Sequence, residues 1–282
     1  MFLPQGGSKF LESDKLAVHR AVIESNVKMY QVVFPWAAAR GVPVVFTSSQ
    51  LQATATSYGA VKHLGEEWSR AQPMRTRSVR LWNVYGYERV GEKSHVLNDW
   101  AHACVRGIDR GGRDAVVGGR RAVVVRARSD GRESRQFLHT DDAAAGLVRL
   151  LREWDTPFSA LPQTVDLTSG TWTTVRELAA ALAAAAGHFY AQRQAAARTA
   201  EEEAVPASCT VEFAADAPAA GQAAQRAPDL STGFHARWIG GLEGEAQQRA
   251  ALLKGIYRLM QEHSTAAAGT EAAEEEKCED VK

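Results

Sequence analysis

The sequence predicts an α/β fold in which an open parallel sheet carries helices on its faces. Helix-like and strand-like segments alternate in short units over the first ninety residues, which is the pattern that α/β proteins produce. The first strand-like segment is apolar on both faces, as a strand inside a parallel sheet is. Two strand-like segments end in polar residues, and the carboxyl ends of parallel strands are where such sheets bind ligands.

The predicted elements of the first ninety residues follow from the spacing of apolar residues and from residues that break helices. The first forty residues predict one amphipathic helix, with Pro35 as a kink. A strand at 44–46, a helix at about 56–71 and a strand at 77–82 follow. The residues expected to form the apolar faces of the two helices are Leu16, Ile23, Val27, Tyr30 and Phe34 in the first and Val61, Leu64 and Trp68 in the second.

Beyond residue 86 the pattern is looser, and the predicted elements are shorter. Thr140 and Asp141 are both good N-caps, so either could open the helix there. The Ala-, Thr- and Glu-rich end predicts a disordered acidic tail over 263–282. The other predictions are a helix at 95–107, a flexible insertion at 109–120, strands at 122–125, 136–138 and 165–167, a helix at 173–186 and an insertion at about 192–206.

Composition excludes several classes of protein. Lys plus Arg and Asp plus Glu both number 33, so no net charge favours nucleic acid or an anionic membrane as a partner. Cys104, Cys209 and Cys278 are scattered without metal-ligand spacing or a disulfide framework, which makes a reducing compartment the default. No apolar stretch has the length of a membrane span, and no signal peptide opens the chain. We expect a soluble cytoplasmic protein without a metal site.

The strongest chemical pattern joins Ser49, at the end of the first strand, to Tyr58 and Lys62 on the next helix. Tyr58 and Lys62 are four residues apart and therefore lie on one helical face. A lysine ammonium beside a phenol favours the phenolate, so we expect Lys62 to lower the pKa of Tyr58 toward that of a general base. A Tyr-x-x-x-Lys pair alone is usually a surface coincidence, but its place directly after a strand ending in Thr-Ser-Ser makes it a candidate active site.

Two further segments place polar residues near predicted strand ends. Asn83 closes a strand and precedes Val84-Tyr85-Gly86; the plain interpretation is that it caps a turn. Arg135 follows a turn and precedes a strand that runs into the Asp141 helix start, which suits an arginine facing phosphate. A surface ion pair is the more common role for such an arginine.

In this order the residues resemble the extended short-chain dehydrogenase/reductase family, specifically its NAD-dependent epimerases and dehydratases that act on nucleotide sugars. The shared pattern is a Ser or Thr after a strand, Tyr-x-x-x-Lys, Arg-x-x-Asn-x-x-Gly at 80–86 and an approximate Arg-aromatic-x-x-x-Asp block. The resemblance runs from about residue 6 to 238. It implies an incomplete doubly wound, Rossmann-like parallel sheet at 1–90 and a smaller substrate-binding α/β region at 91–262, from which one strand and helix return to the sheet.

The resemblance also implies roles for individual residues. Ser49, Tyr58 and Lys62 become catalytic. The implied cofactor is NAD or NADP, and the implied substrate is a nucleotide sugar. A homodimer through the helices that carry Asn26 and Tyr58 is the family precedent. The cofactor contacts would be Tyr58, Lys62, Ser48 and Asn26, and the substrate contacts Asn83, Ser94, His95, Arg135 and Arg226.

The residues after Ser49 narrow the implied reaction. The family's 4,6-dehydratases carry an Asp-Glu pair there and its 3,5-epimerases a Cys, whereas this sequence has Gln50 and Leu51, which cannot exchange protons. Oxidation and reduction at one carbinol remain, by a 4-epimerase or a simple reductase.

The Gly-x-x-Gly-x-x-Gly turn that holds the family's dinucleotide pyrophosphate has no match in this sequence. We therefore expect the chain to start after the family's fourth strand and the strand at 44–46 to have one unpaired edge. An alternative hypothesis follows, in which the chain is a non-catalytic remnant that binds a nucleotide sugar or a partner subunit.

Overall fold

The computed structural model describes residues 16–89, 95–107, 115–117, 120–127, 129–157, 161–196, 208–214 and 245–279. The chain divides into two compact units. The first comprises Met1–Val84, Gln136–Trp172 and Gln222–Gly244, and the second comprises Tyr85–Arg135, Thr173–Gly221 and Glu245–Lys282.

The helices and strands alternate along the chain as an α/β protein requires. In chain order they are α1 (Leu16–Ala39), β1 (Val44–Ser49), a 3-10 helix (Gln50–Ala53), α2 (Ser57–Arg70), β2 (Thr76–Leu81), β3 (Asn83–Tyr85), α3 (Val96–Arg106), β4 (Ala115–Val117), β5 (Arg120–Arg126), β6 (Ser134–Arg135), β7 (Phe137–His139), α4 (Thr140–Arg152), β8 (Thr164–Leu167), β9 (Thr173–Thr174), α5 (Val175–Ala196), β10 (Ser208–Glu212) and α6 (Glu245–Glu279).

The sheet of the first unit confirms the predicted parallel arrangement. Its order is β1-β2-β8, and both pairings are parallel. Ser49 lies opposite Leu81, so the carboxyl ends of β1 and β2 are level with each other. Within the described part of the chain β1 pairs on one side only, which leaves it at the edge of this sheet.

One face of this sheet packs against α1 and α2 through aromatic side chains. Tyr30 and Phe34 from α1 meet Phe46 from β1, with the Tyr30 ring edge-on to the Phe46 ring at 5.5 Å between centroids. Trp68 from α2 stacks on Phe34 at 6.2 Å. Tyr30 also donates a hydrogen bond to the Val61 carbonyl at 3.1 Å, which ties the two helices together.

The other face packs against α4 through aliphatic side chains. Val79 and Val165 from β2 and β8 share a cluster with Leu138 and with Leu150 on α4. Helices on both faces of a parallel sheet make this unit doubly wound. At the other end of β2, the fully buried Arg77 donates hydrogen bonds to backbone carbonyls in the loop between α4 and β8, including that of Leu161 at 2.6 Å.

The second unit has its own sheet and helical core. Here β10 runs parallel to β5, and β4 is antiparallel to β5, while β6 and β9 form a short antiparallel pair. The buried side chains of α3, α5 and α6 fill its core, among them Leu97, Trp100, Leu178, Leu182, Ile256 and Leu259.

The expectation that the cysteines are unpaired is wrong. Cys104 on α3 and Cys209 on β10 form a disulfide across 105 residues of sequence, and both are buried. Their pairing could not be predicted from spacing, because it depends on how α3 packs against the β10–β5 sheet.

Several predicted elements differ from the structure. Tyr30 and Phe34 are buried as predicted for α1, but Leu16 is 81% exposed and Ile23 is exposed, and the buried face is completed by Val22, Asn26 and Ala37. Ala115–Val117, predicted to lie in a flexible insertion, form strand β4. Helix α4 is capped by His139, whose Nδ1 accepts from the Asp141 amide at 3.2 Å, and not by Thr140 or Asp141.

The end of the chain also differs from its prediction. Residues 263–279, expected to be a disordered acidic tail, continue helix α6. His263 is buried within it, with its Nε2 at 2.8 Å from Asn98 Oδ1, and burial lowers the pKa of its imidazole to about 4.

Across the described residues, no helix combines the length and the apolar character that a membrane crossing needs.

Candidate active site

The candidate site begins where β1 ends. Ser49 is the last residue of β1, and its Oγ accepts a hydrogen bond from the Leu51 amide at 3.2 Å, which starts the 3-10 helix Gln50–Ala53. Thr56 then caps α2 by accepting from the Gly59 amide at 3.0 Å. This short connection brings Tyr58, in the first turn of α2, back to the end of β1.

Gly59 is what allows so tight a connection. A Cβ at this position would lie 2.5 Å from the carbonyl oxygens of Leu51 and Thr54, closer than atoms can approach. The 3-10 helix therefore packs directly on the first turn of α2. Gly59 therefore permits a connection in which Tyr58 comes only nine positions after Ser49.

Tyr58 and Ser49 are brought together by this arrangement. Burial raises the pKa of the Tyr58 phenol, while a hydrogen bond with the Ser49 side chain lowers it. Lys62 does not contribute to the Tyr58 pKa, so the lowering predicted from the sequence is not found. The reason is that the ammonium lies 5.6 Å from the Tyr58 ring centroid and makes its hydrogen bond elsewhere.

Lys62 lies one turn along α2, with 9% of its surface exposed. Its Nζ donates to the Thr47 carbonyl at 2.9 Å, two residues before Ser49. Burial lowers the pKa of this ammonium to about 8. An ammonium has three N–H donors, and in the described part of the chain Thr47 is its one hydrogen-bond acceptor. The remaining donors suit a ligand with adjacent hydroxyls, such as the ribose of a dinucleotide.

The other predicted cofactor contacts are engaged within the protein. Ser48 is buried, and its hydroxyl donates to Glu66 Oε1 at 2.5 Å rather than facing a ligand. Asn26 donates its amide to the Val22 carbonyl at 2.8 Å, one turn earlier on α1.

The predicted substrate contacts fall in three places. Asn83, in the first unit, donates its amide to the Gln136 carbonyl at 3.2 Å. His95 and Arg135 belong to the second unit. There His95 Nδ1 pairs with Glu88 at 2.9 Å, and Arg135 donates to the Ser134 carbonyl at 2.8 Å, with burial lowering its pKa. Ser94 and Arg226 lie outside the described residues.

One charged pair beside the site was not predicted. Glu66 on α2 accepts two hydrogen bonds from the Arg80 guanidinium on β2, at 2.8 and 2.6 Å. The available signal was the spacing of Tyr58, Lys62 and Glu66, which are four residues apart in turn and so share one helical face. In the residues that the structure describes, no group of three His, Cys, Asp or Glu side chains could hold a metal ion.

Comparison with known proteins identifies the family of the chain. Residues 13–159, which include β1, α2 and β2, match the family model "NAD dependent epimerase/dehydratase family". None of the curated proteins matches the sequence.

Solved structures share the fold at low sequence identity. A UDP-glucose 4-epimerase from Thermotoga maritima with UDP-glucose is 14% identical and has a TM-score of 0.61. The match covers 93% of this chain and 74% of the epimerase chain. RMD from Pseudomonas aeruginosa complexed with NADPH is 15% identical, with coverage of 94% and 79% and a TM-score of 0.60. A Thermus thermophilus UDP-glucose 4-epimerase complex with NAD is 17% identical, with coverage of 93% and 75% and a TM-score of 0.58. With more than half of its length matched by the family model, the chain belongs to the NAD-dependent epimerase/dehydratase family.

Proposed function

We propose that the chain is an NAD(P)-dependent nucleotide-sugar epimerase or reductase that acts at a single carbinol. The observation that carries the proposal is the gathering of Ser49, Tyr58 and Lys62 at the carboxyl end of β1. Membership of the NAD-dependent family supports the cofactor class, and the epimerase and reductase alternatives share the same chemical step.

Each of the three side chains has a distinct task in this step. The Tyr58 oxygen accepts the proton of the carbinol hydroxyl as a general base and returns it when the reaction runs the other way. The Ser49 hydroxyl, already a partner of Tyr58, hydrogen-bonds the same substrate oxygen. When bound, NAD(P) would supply the acceptor for the hydride of the carbinol carbon.

Lys62 would hold the cofactor end of the site. Its free N–H donors suit the hydroxyls of the nicotinamide ribose, while the Thr47 carbonyl fixes its position. Burial disfavours the Tyr58 phenolate, so positive charge brought within range of the phenol would be needed to lower its pKa.

The residues after Ser49 support redox chemistry at one carbon over elimination of water. Gln50 and Leu51 form the start of the 3-10 helix, and the Leu51 amide binds Ser49 Oγ. Neither side chain can donate or accept a proton in a dehydration step. The substrate class rests on the family and on Asn83, His95, Arg135, Ser94 and Arg226 as predicted contacts, with the arginines suited to a diphosphate.

We also propose self-association through α1 and α2. Exposed apolar side chains on these helices support it: Leu16, Ile23, Val32, Val33 and Trp36 on α1 and Leu64 on α2. Sedimentation velocity at micromolar concentration tests it, and a species with the mass of one chain would contradict it.

The proposed function is tested with purified chain, NAD(H), NADP(H) and a panel of UDP-, GDP- and dTDP-hexoses. We expect reduced cofactor to change its fluorescence on binding, and one sugar nucleotide to be converted or to be oxidised with a change in absorbance at the nicotinamide band. Binding of a nucleotide sugar without any effect of either cofactor would instead support the non-catalytic alternative.

A further inference from the structure

The carboxylate of Glu66 is buried beside the catalytic side chains. It lies one helical turn after Lys62 on α2 and is 2% exposed. A buried carboxylate is costly unless every oxygen is hydrogen-bonded or paired with a cation. Glu66 meets both conditions, because Ser48 and Arg80 together give it three donors.

The three donors reach Glu66 from two strands. Ser48 on β1 donates its hydroxyl to Oε1 at 2.5 Å. Arg80 on β2 donates Nε to Oε1 at 2.8 Å and Nη2 to Oε2 at 2.6 Å, the two-pronged geometry that fixes orientation best. Glu66 thus joins α2 to the carboxyl-terminal ends of both strands.

The position of Ser48 connects this network to the catalytic groups. Ser48 lies between Thr47, whose carbonyl holds the Lys62 ammonium, and Ser49, whose side chain meets Tyr58. Glu66 lies on the same helix as Tyr58 and Lys62. A rotation of α2 against β1 would therefore break the Ser48–Glu66 bond and separate both catalytic contacts at once.

We propose that Glu66 is a positioning residue, which locks α2 to β1 and β2 so that Lys62 reaches the Thr47 carbonyl and Tyr58 reaches Ser49. The effect acts through geometry, since no side-chain hydrogen bond or ion pair joins Glu66 to Lys62 or Tyr58 in the described part of the chain. This inference rests on the proposed function for its effect on turnover, but its structural part can be measured without any substrate.

The test compares Glu66→Gln with Glu67→Gln, which removes the neighbouring carboxylate from the exposed pair with Arg70. The primary readout is the titration of Lys62 by NMR in protein labelled with ¹³C and ¹⁵N at lysine, assigned by the signal lost in Lys62→Arg. Wild type and Glu67→Gln should titrate at about 8. In Glu66→Gln the freed ammonium should gain water, and its pKa should move up toward the ordinary lysine value.

Turnover supplies the second readout. We expect kcat of Glu66→Gln to fall on the order of 100-fold with little change in KM, because misplacing reacting groups by about 1 Å costs roughly that much. Glu67→Gln should match wild type.

A Lys62 titration in Glu66→Gln that superimposes on wild type would overturn the proposal, whatever the turnover. If Glu66→Gln does not fold, Ser48→Ala decides instead, since it removes one donor and keeps the ion pair. The same upward movement of Lys62 is expected, and no movement would overturn the proposal. A wild-type protein that binds no cofactor would refute the proposed function and leave the titration result standing.

Discussion

Lys62 shows how burial acts on one residue of the site. Its ammonium loses proton affinity because most of its surrounding water has been replaced by protein. The native chain therefore releases this proton near pH 8, whereas the unfolded chain holds it up to about pH 10.5.

This difference makes stability depend on pH in a definite direction. Between about pH 8 and 10.5 the unfolded chain binds more protons, so the free energy of unfolding rises with pH. Below about pH 8 the full cost of burying the charge is present. We expect the stability of wild type relative to Lys62→Met to increase by on the order of 1–3 kcal/mol across this window.

Urea unfolding of both proteins at several pH values measures the effect. The Lys254→Met variant is the control, because it makes the same change at an exposed lysine. A flat difference for Lys62→Met would mean that Lys62 is solvated.

At the residue scale, the sequence predicts that Tyr58 and Lys62 share one face of a helix, but it does not predict the contacts that support them. The Tyr58–Lys62 spacing sufficed because it depends on one helix. The engagement of Ser48 by Glu66 could not be read from sequence, since it needs the relative positions of β1, α2 and β2. For the same reason the opposing effects of burial and Ser49 on the Tyr58 pKa were missed, and Lys62 was credited instead.

At the scale of elements, α2 lies close to β1 because it carries a glycine, Gly65, where the two meet. A Cβ at Gly65 would fall 2.2 Å from the Phe46 ring, inside the aromatic cluster of α1, α2 and β1. Since Phe46 is packed among other rings, it cannot move aside cheaply.

We expect Gly65→Ala to destabilise the protein by about 1–3 kcal/mol, the usual cost of overpacking. Gly187→Ala on α5 is the matched control, because a Cβ there meets nothing within 4 Å. That change should stabilise by about 0.5–1 kcal/mol through helix propensity. Equal urea midpoints for the two variants would contradict the close contact of α2 with β1.

The regular elements of the sheet were predictable because their apolar runs and turns are local signals. The strands at 44–46, 77–82 and 165–167 correspond to β1, β2 and β8. The errors lie where tertiary packing overrides composition: the tail from residue 263 was predicted to be disordered, yet it continues helix α6 and His263 is buried.

At the scale of the whole molecule, solved structures that share the fold match nearly the full length of the chain. The structures compared above each cover 93–94% of this chain, and the chain spans 74–79% of theirs. The parallel β1-β2-β8 sheet with helices on both faces is the part that sequence patterning predicted, while the Cys104–Cys209 disulfide of the second unit was not foreseen.

The central claim is that a phenol, a hydroxyl and an ammonium at the end of β1 perform a proton transfer. The most direct measurement is the kcat of Tyr58→Phe beside that of the control Tyr87→Phe, which is exposed and whose ring contacts His263. We expect Tyr58→Phe to lose at least about 10²-fold in kcat while still binding the nucleotide sugar, because the general base alone is removed. A Tyr58→Phe enzyme that turns over within a few-fold of wild type would contradict the account.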